Sequence, residues 1–365
     1  MKQIKIYAEH LEATALEQFN SAMEQDFSVK GALMPDAHTG YSLPIGAVVA
    51  TDGMILPSWV GFDIGCGMCA LRTSFKSADI EQNGKAIFDE IYKRVPVGFA
   101  VHQHPVDCDL DPDDLAELGR KAFDKRKGFR GIGTLGGGNH FIEIGKDETD
   151  TVWIVIHSGS RGVGHGIATE YVRLADPDNK VRDGHHGFLV DSDDGQAYIN
   201  DLRWSLKYAL ANRKQMMHAI TAAIHQHCEG GVDWGHLINR NHNHAEYKDG
   251  LWIHRKGATH AEDGMMGVIP GNMRDGSFIV RGKGNPDSLF SSSHGAGRVL
   301  GRKQAKCELD VEEFKSTMQG VTALVGEDTL DESPMAYKDI FEVMRLQADL
   351  VDTIHHITPI VNVKG

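Results

Sequence analysis

Several things that the 365-residue chain has little of exclude whole classes of protein. No apolar run approaches the ~20 residues that a membrane-spanning helix needs. The segment 1–7 lacks the apolar core of a signal peptide, so we expect a cytoplasmic protein that does not use a membrane. The five cysteines are an odd number in a long chain, which argues against a disulfide framework.

Two familiar motifs are incomplete. The glycine-rich segment Gly136–His140 has no Lys-Ser or Lys-Thr after it, so it is not a P-loop, although such a turn still offers backbone N–H groups to phosphate. Cys66 and Cys69 form one CxxC pair, and no second pair completes a four-cysteine zinc site. Cys69 is therefore predicted to be a small buried hydrophobic residue.

Positive charge is scarce overall, because 38 Lys and Arg face 51 Asp and Glu, giving a net charge of −13. This balance argues against a general nucleic-acid coat but leaves room for a local basic groove. Basic side chains gather at 120–130 and at 281–303. The first run is either a solvated helix face or a nucleic-acid contact, and the second surrounds His294.

His294 is the most informative residue of the chain. It lies in Ser-His-Gly-Ala-Gly-Arg (293–298), where small neighbours leave it open to a bulky electrophile and Arg298 places a cation near a phosphate. Imidazole can attack phosphorus and form a covalent intermediate, which makes His294 a candidate nucleophile. The alternative is a loop histidine beside a glycine turn.

Five other residues form a candidate metal site. Asp63 and Cys66 are three apart in a glycine-rich turn and can converge on one ion, while His140, His157 and His242 each follow or end a glycine-rich or strand segment. Each histidine taken alone is more simply a structural one. The Cys/His/Asp donor set by itself leaves zinc and manganese open.

The motifs that carry these residues recur together in one family. They are Met34–Gly40, Gly61–Gly67, Gly133–Glu143, His157–Gly162, His242–Asn243, His254–Thr259, Pro270–Met273, His294–Arg298, Ala336–Ile340 and Val363–Gly365. In these segments the chain resembles the RtcB RNA ligases, which join RNA ends using GTP and manganese. One such segment is a weak signal, but ten in the same order, covering almost the whole chain from residue 34, are very specific.

The resemblance implies the ligands of the site. Manganese, as two ions, would be held by Asp63, Cys66, His140, His157 and His242. Nucleotide contacts carried over to this sequence are Asn139, His140, Glu143, Asn243, Pro270, Gly271, Asn272, Met273, Ser277, His294, Gly295, Ala296, Gly297, Tyr337 and Lys364. The family usually has Pro-Gly-Ser-Met-Gly-Thr-x-Ser where this chain has Asn272, Arg274 and Asp275, which leaves details of guanine-side recognition open.

The reaction implied by the resemblance is ligation of an RNA 3′-phosphate or 2′,3′-cyclic phosphate end to a 5′-hydroxyl end, in RNA repair or tRNA splicing. His294 would be guanylylated by GTP, and the GMP would then activate the RNA 3′ end. No Lys-x-Asp-Gly occurs, so the lysine-adenylating ligase mechanism has no obvious nucleophile. The alternatives are a metal-dependent RNA-end phosphoesterase without ligation and a non-catalytic RNA-binding paralogue. The need for an activating protein partner stays open.

Two smaller groups also stay open. His102, His104 and Cys108 have a spacing compatible with a metal trio, but no family segment supports it. Asp36 and His38 lie in a glycine- and proline-rich turn and either support the metal ligands or contact RNA.

The expected fold is α+β: a single compact domain over 1–365, with a glycine-rich central β-sheet assembly flanked by helices and a helix-rich insertion at about 165–230. Apolar periodicity predicts helices at 8–26, 77–94, 112–126, 196–228 and 336–356. Short β-branched runs predict strands at 44–57, 151–156, 251–254 and 277–281.

Overall fold

A computed structural model describes residues 2–176, 178 and 184–365. Its strands are β1 (Gln3–Ile6), β2 (Ser28–Tyr41), β3 (Leu43–Thr51), β4 (Met54–Ile55), β5 (Gly67–Lys76), β6 (Phe141–Lys146), β7 (Thr151–Ser158), β8 (Phe188–Leu189), β9 (Ile238–Asn241), β10 (Asn243–Lys248), β11 (Leu251–Lys256), β12 (Ala258–His260), β13 (Met266–Pro270), β14 (Ser277–Gly282), β15 (Ser291–Ser293), β16 (Thr322–Ala323) and β17 (Val351–Lys364). Its α-helices are α1 (Ala13–Glu24), α2 (Pro57–Val60), α3 (Ser77–Arg94), α4 (Glu117–Lys125), α5 (Arg161–Ala175), α6 (Asp193–Ile224), α7 (Arg302–Glu308), α8 (Val311–Thr317) and α9 (Ile340–Leu346).

The larger sheet has the strand order β13-β14-β17-β6-β7-β5-β9, with β16 paired to β17. Its two outer strands approach each other, and Arg240 of β9 donates to the carbonyl oxygen of Met266 on β13 at 3.3 Å. The sheet therefore curls almost into a ring. Apolar side chains such as Val155, Ile238 and Ile279 fill one face.

The other face of this sheet packs against α3 and α6. The shared core includes Ile87 of α3, Ile154 of β7 and Ile220 of α6, all with no exposed surface. β7 is buried along nearly its whole length, as expected for a β-branched run covered on both faces. Because the strand is fixed by this packing, its end presents His157 and Ser158 at a defined place.

A second sheet has the order β1-β2-β3-β11-β10. α1 covers it through Phe19 and Met23, which pack against Leu33 and Val49. The register of β2 against β3 shifts between Leu33 and His38, so the second half of β2 leaves the regular ladder. That irregular half carries the Pro-Asp-Ala-His segment to the functional site.

The mixed architecture confirms the predicted fold class, and most predicted elements exist. The helix predicted at 77–94 matches α3, and the one predicted at 196–228 matches α6 to within a few residues. The strand prediction at 44–57 is confirmed for β3 and β4, but Pro57 begins the short helix α2. Helices α5 and α6 occupy most of 165–230, and the insertion and the domain limits stay predictions.

The helix predicted at 336–356 is wrong. A short helix, α9, ends at Leu346, and the chain then enters β17, a 14-residue strand between β14 and β6. The segment Val351–Val363 is rich in β-branched residues, which favour a strand, and Pro359, which a helix interior does not tolerate, lies at the register shift between β17 and β6. Among the described residues, no helix combines the length and the apolar character needed to cross a membrane.

Candidate active site

The five predicted metal ligands meet where several segments of the large sheet end. Asp63 and Cys66 lie in the turn before β5, His140 immediately precedes β6, His157 ends β7, and His242 joins β9 to β10. The Asp63 carbonyl accepts from the backbone N–H of Cys66 at 3.0 Å, which closes the turn that brings these two side chains together.

The donor atoms of these side chains converge. Cys66 Sγ lies 3.2 Å from His157 Nε2 and 3.4 Å from His140 Nε2. His157 Nε2 is 3.3 Å from His242 Nε2, and His140 Nε2 is 3.0 Å from Asp63 Oδ2. Cys66, His140 and His157 each offer one ligand atom within 4.8 Å of the others. Of the predicted set, the structure thus brings all five together.

Backbone carbonyls hold the outer nitrogens of two of these rings and so direct the inner nitrogens into the cluster. His140 Nδ1 lies 2.9 Å from the carbonyl oxygen of Leu135, and His157 Nδ1 lies 3.1 Å from that of Asn139. A carbonyl only accepts, so His157, whose burial keeps the ring neutral by lowering its pKa, carries its proton on Nδ1 and a lone pair on Nε2. That lone pair faces the Cys66 thiol and the His242 ring, an arrangement that fits a divalent metal.

Burial sets the ionisation of this cluster. It holds the pKa of His157 and of His242 well below the ordinary value, so both are neutral imidazoles. Burial and the nearby Asp63 raise the pKa of the Cys66 thiol. Burial also opposes ionisation of Asp63, but its hydrogen bond with His140 prevails and lowers its pKa to about 2. Neutral imidazoles beside an ionised carboxylate are suitable ligands, and a bound cation would favour the thiolate.

Helix α6 fixes the ligand-bearing loops from below, a role that the sequence analysis did not assign. Arg213 has no exposed surface and donates to the carbonyls of Gly65 and Ser158, both at 2.8 Å. Its neighbour Asn212 accepts from the N–H groups of Gly133 and Thr134. Arg213 lies four residues after the buried Ala209, so a charged residue on the apolar stripe was the available signal.

His294 lies directly after β15 and next to the metal-ligand cluster. Its ring centroid is 4.8 Å from that of His242. Its Nδ1 is 2.6 Å from Oδ2 of Asp36, a carboxylate with no exposed surface. Burial opposes ionisation of Asp36, but the charge and hydrogen bond of His294 keep its pKa below the ordinary value. A carboxylate at this distance from Nδ1 favours the tautomer with the proton on that nitrogen, which would leave the lone pair of the ring on Nε2.

A pocket opens beside His294. The predicted nucleotide contacts that line it are Asn139, Glu143, Pro270, Gly271, Asn272, Met273, His294, Gly295, Ala296, Gly297, Tyr337 and Lys364, together with His38, Arg298, Arg302 and Asn362. Three predicted contacts lie outside the lining. Ser277 is buried below Glu143, His140 belongs to the metal cluster, and the Asn243 side chain bonds the Asp63 carbonyl and the Gly257 N–H.

The floor of the pocket carries polar atoms without protein partners. Glu143 Oε1 and Asn362 Oδ1 are buried and make no hydrogen bond. Burial raises the pKa of Glu143 to about 8, although Ser277 and Lys364 act in the opposite direction. Orphaned buried acceptors are costly in a folded protein, so a ligand that donates hydrogen bonds fits this floor.

Glu332 organises the charged wall of the pocket, and the sequence analysis missed it. This buried carboxylate pairs with Lys364 at 2.7 Å, Arg302 at 2.8 Å and Arg298 at 3.2 Å. It also accepts from the Tyr337 hydroxyl at 2.7 Å. One side chain thus positions four pocket residues, and its segment had no periodicity or motif to mark it.

The departure from the usual family sequence forms a closed turn. Asn272 accepts from the N–H groups of Arg274 and Asp275 and donates to the Asp275 carboxylate at 2.7 Å. Arg274 is exposed and pairs with Asp275 at 2.7 Å. The substituted side chains bond one another, and Pro270–Met273 still line the pocket.

The metal trio considered at His102, His104 and Cys108 does not form among the described residues. His102 instead contacts the Gly133 carbonyl at 3.3 Å. Cys69, predicted to be a small buried hydrophobic residue, has no exposed surface and packs in the core with Leu71, which confirms that prediction. All five cysteines are free.

Comparison with known proteins agrees with this geometry. The family model described as tRNA-splicing ligase RtcB matches residues 18–123 and 114–365. The RNA-splicing ligase RtcB of Escherichia coli K12 is 37% identical over 389 residues, covering 97% of this chain and 95% of the relative. That of Mycobacterium tuberculosis is 30% identical over 423 residues, covering 91% and 96%. The tRNA-splicing ligase RtcB of Nanoarchaeum equitans is 28% identical over 436 residues, covering 96% and 91%.

One cysteine, one aspartate and three histidines thus form a candidate metal site beside a pocket that His294 lines, a combination typical of metal-assisted enzymes. The chain belongs to the RtcB family.

Proposed function

We propose that the protein is a GTP- and manganese-dependent RNA ligase that joins an RNA 3′-phosphate or 2′,3′-cyclic phosphate end to a 5′-hydroxyl end. The observation that carries this proposal is the placement of His294. Its Nδ1 is held by Asp36, and its ring lies against the donor cluster and opens into the pocket. The proposed role in the cell is RNA repair or tRNA splicing, and a cytoplasmic location and an activating partner stay predictions.

In the first step, the Nε2 lone pair of His294 attacks the α-phosphorus of GTP. A nitrogen–phosphorus bond forms, the bond to the bridging oxygen breaks, and pyrophosphate leaves with the bonding electrons. Asp36 stabilises the positive charge that develops on the ring, because its carboxylate oxygen lies 2.6 Å from Nδ1. Arg298 and Arg302, which line the same pocket, neutralise phosphate charge.

In the second step, an oxygen of the RNA 3′-phosphate attacks the phosphorus of the GMP carried by His294, and the histidine leaves as the free imidazole. In the third, the 5′-hydroxyl of the other RNA attacks the 3′-phosphate, its proton is lost, and GMP leaves. A 3′-phosphate is a poor electrophile until GMP supplies this leaving group. Divalent ions held by the cysteine, aspartate and histidines would neutralise phosphate charge beside the reacting groups.

The floor of the pocket supports guanine as the base. The Watson–Crick edge of guanine has two donors, N1–H and the 2-amino group, next to the acceptor O6. Glu143 offers a carboxyl oxygen, Oε1, that has no protein partner and can accept, and Lys364 offers a cationic donor. Adenine presents the opposite pattern at the six position, so this arrangement favours GTP over ATP.

The decisive experiment uses GTP labelled at the α-phosphate. Wild type with manganese should form a covalent adduct that is labile to acid and stable to alkali, as expected of a phosphoramidate. His294→Ala should form none, yet still bind metal, because His294 lies beside the donor cluster and is not one of its members. His294→Ala should also seal RNA whose 3′ end already carries GMP.

Two results would overturn the proposal. An adduct that persists in His294→Ala places the nucleophile elsewhere. A wild type without any adduct, but with hydrolysis of RNA end phosphates, makes the protein a phosphoesterase. As a matched substrate control, a nick with a 3′-hydroxyl and a 5′-phosphate should not be sealed, since the proposed chemistry activates the 3′ end.

A further inference from the structure

The segment between α3 and α4 displays one aromatic ring entirely to solvent. Phe99 has a relative exposure of 104%, whereas the next most exposed large apolar side chain among the described residues, Leu189, has 66%. A buried phenylalanine would stabilise the fold by ~1.5–3 kcal/mol, and this one contributes none of that. Single exposed apolar residues are common, so exposure alone assigns no role.

The backbone that carries Phe99 is firmly anchored. Gly98 donates to the Gly136 carbonyl at 2.7 Å, and Leu135 donates to the Pro96 carbonyl at 2.9 Å. Ala100, on the other side of the ring, donates to the Val97 carbonyl at 3.1 Å. A ring presented on fixed backbone loses little conformational entropy when it binds a partner.

This anchoring also places Phe99 next to the reactive centre. Gly136 begins the glycine-rich loop that ends in Asn139 and the candidate metal ligand His140. Arg161 bridges the two segments: one guanidinium nitrogen lies 3.3 Å from the Gly98 carbonyl, and another lies 3.4 Å from His140 Nδ1. Phe99 therefore directly follows Gly98, whose carbonyl contacts the same arginine, Arg161, that contacts His140 of the metal cluster.

Cations without acidic partners among the described residues lie in the run that contacts the Phe99 segment. The basic run 120–130 contacts the Phe99 segment directly, because Arg130 donates to the His102 carbonyl at 2.8 Å and accepts from the His102 N–H at 3.0 Å. Arg120 of this run is paired with Asp113 and Asp124. Arg126, Lys127 and Arg130 have no acidic partner among the described residues.

We propose that Phe99 stacks on a base of the RNA substrate within a few nucleotides of the ends to be joined, with Arg126, Lys127 and Arg130 following the adjoining phosphates. This inference rests on the proposed RNA ligation. Unpaired RNA ends expose base faces, and proteins bind such bases by stacking on aromatic rings beside a cationic groove. The phosphate contacts that a ligase makes at the reacting ends are the same for every RNA sequence. A neighbouring base stacked on the ring adds binding free energy and keeps the RNA end in position.

The first test measures binding of a short single-stranded RNA with a 3′-phosphate by fluorescence anisotropy. Phe99→Ala should weaken binding about tenfold. Phe99→Trp should keep or improve the affinity, and Phe99→Leu should behave like the alanine variant, because an aliphatic side chain cannot stack. Tyr247→Ala is the matched control: Tyr247 is 61% exposed on β10, outside the pocket, and its loss should leave RNA binding and ligation unchanged.

The second test locates the base. Abasic nucleotides are placed one at a time on each side of the junction. At one position the abasic RNA should bind wild type about tenfold more weakly, and Phe99→Ala should cause no further loss with that RNA. In the same assay Lys127→Ala should weaken all RNAs alike and lower the slope of log K against log salt by about 0.7, the value for one phosphate contact on a single strand.

Formation of the GMP adduct without RNA separates this inference from the function on which it rests. Phe99 does not line the nucleotide pocket, so Phe99→Ala should form the adduct at the wild-type rate. A wild type that neither forms the adduct nor ligates overturns the proposed function. If the wild type ligates and Phe99→Ala binds every RNA as tightly as the wild type does, only the stacking proposal is overturned. The same holds if Phe99→Ala keeps its RNA affinity but loses the binding of a protein partner.

Discussion

In the pocket beside His294 the charged side chains are paired with one another, whereas in the neighbouring donor cluster the side chains direct atoms that can bind a metal at a common point. Glu332 is surrounded by Lys364, Arg298 and Arg302. His157 and His242, by contrast, direct nitrogen atoms at each other at 3.3 Å. A pocket that binds and releases a substrate at every turnover has to be stable between turnovers, so protein partners balance its charged groups. A site that keeps a bound ion can leave the balance of its ligand atoms to that ion.

Removing one side chain of the donor cluster tests its proposed metal binding and should have the largest effect on activity. Cys66→Ala and His157→Ala should each lower bound divalent metal and reduce ligation by far more than about 100-fold, because each removes an atom from the centre of the cluster. Metal content is measured by atomic emission on the purified protein. Cys69→Ala is the matched control, since Cys69 is a core residue and its loss should spare metal and activity. Full metal content in Cys66→Ala would contradict the assignment.

Disruption of the paired wall should lower stability without removing metal. Glu332→Gln leaves Lys364 and two arginines without their shared carboxylate, and breaking a buried ion pair costs about 3–5 kcal/mol. Urea unfolding should show this loss, and nucleotide affinity should fall with it. Glu342→Gln removes an exposed pair with Arg345 and should leave the urea midpoint almost unchanged, because solvent screens exposed charges. If Glu332→Gln also loses bound metal, the charged wall and the donor cluster depend on each other, and the comparison between them is wrong.

A smaller effect should come from Glu143, the acceptor without a partner in the pocket. Its pKa is about 8 when folded and close to its ordinary value when unfolded, so the folded state binds the proton more tightly. The free energy of unfolding therefore falls as the pH rises from about 4.5 to about 8 and levels off above that. Glu143→Gln should abolish this fall and raise Tm by roughly 2 °C or more at pH 9 but not at pH 4.

The same variant should lose discrimination between GTP and ITP, which lacks the 2-amino group. Wild type should prefer GTP by about tenfold or more, because ITP has no 2-amino group and leaves the acceptor oxygen of Glu143 unpaired. The comparison is made by isothermal titration at a single pH above 8. Equal binding of the two nucleotides by wild type would remove Glu143 from the guanine-binding floor.

Sequence patterns located the candidate reactive groups but not the residues that hold them. Cys66, His140 and His294 lie in short glycine-punctuated segments that resemble the motifs of the family, so they could be named as candidates without coordinates, and their roles stay predictions. Glu332 and Arg213 act through partners far away in the chain, up to 148 residues for Arg213 and Gly65. A local window can show that Arg213 is a charged residue on an apolar stripe, but it does not show which distant groups Arg213 or Glu332 contacts.

The error at 336–356 has a similar origin. Helical periodicity in α9 was extended past Leu346 into β17, whose strand conformation depends on a place between β14 and β6. Neighbouring strands determine that environment, and β6 lies more than 200 residues earlier in the chain. The helix α3, whose apolar stripe packs on one continuous face, was predicted at its correct limits for the opposite reason.

The pairing of β3 with β11 carries a consequence for how the protein folds. Thr51 contacts the Trp252 carbonyl across 201 residues of sequence, and the donor atoms of the metal cluster come from segments between these two strands. Closing loops of that length is entropically unfavourable and makes folding slow. Cys66 and His242 therefore meet only when the sheets have assembled. In a refolding experiment, capture of a divalent ion should coincide with the slowest kinetic phase, so that the reactive centre is the last part of the molecule to form.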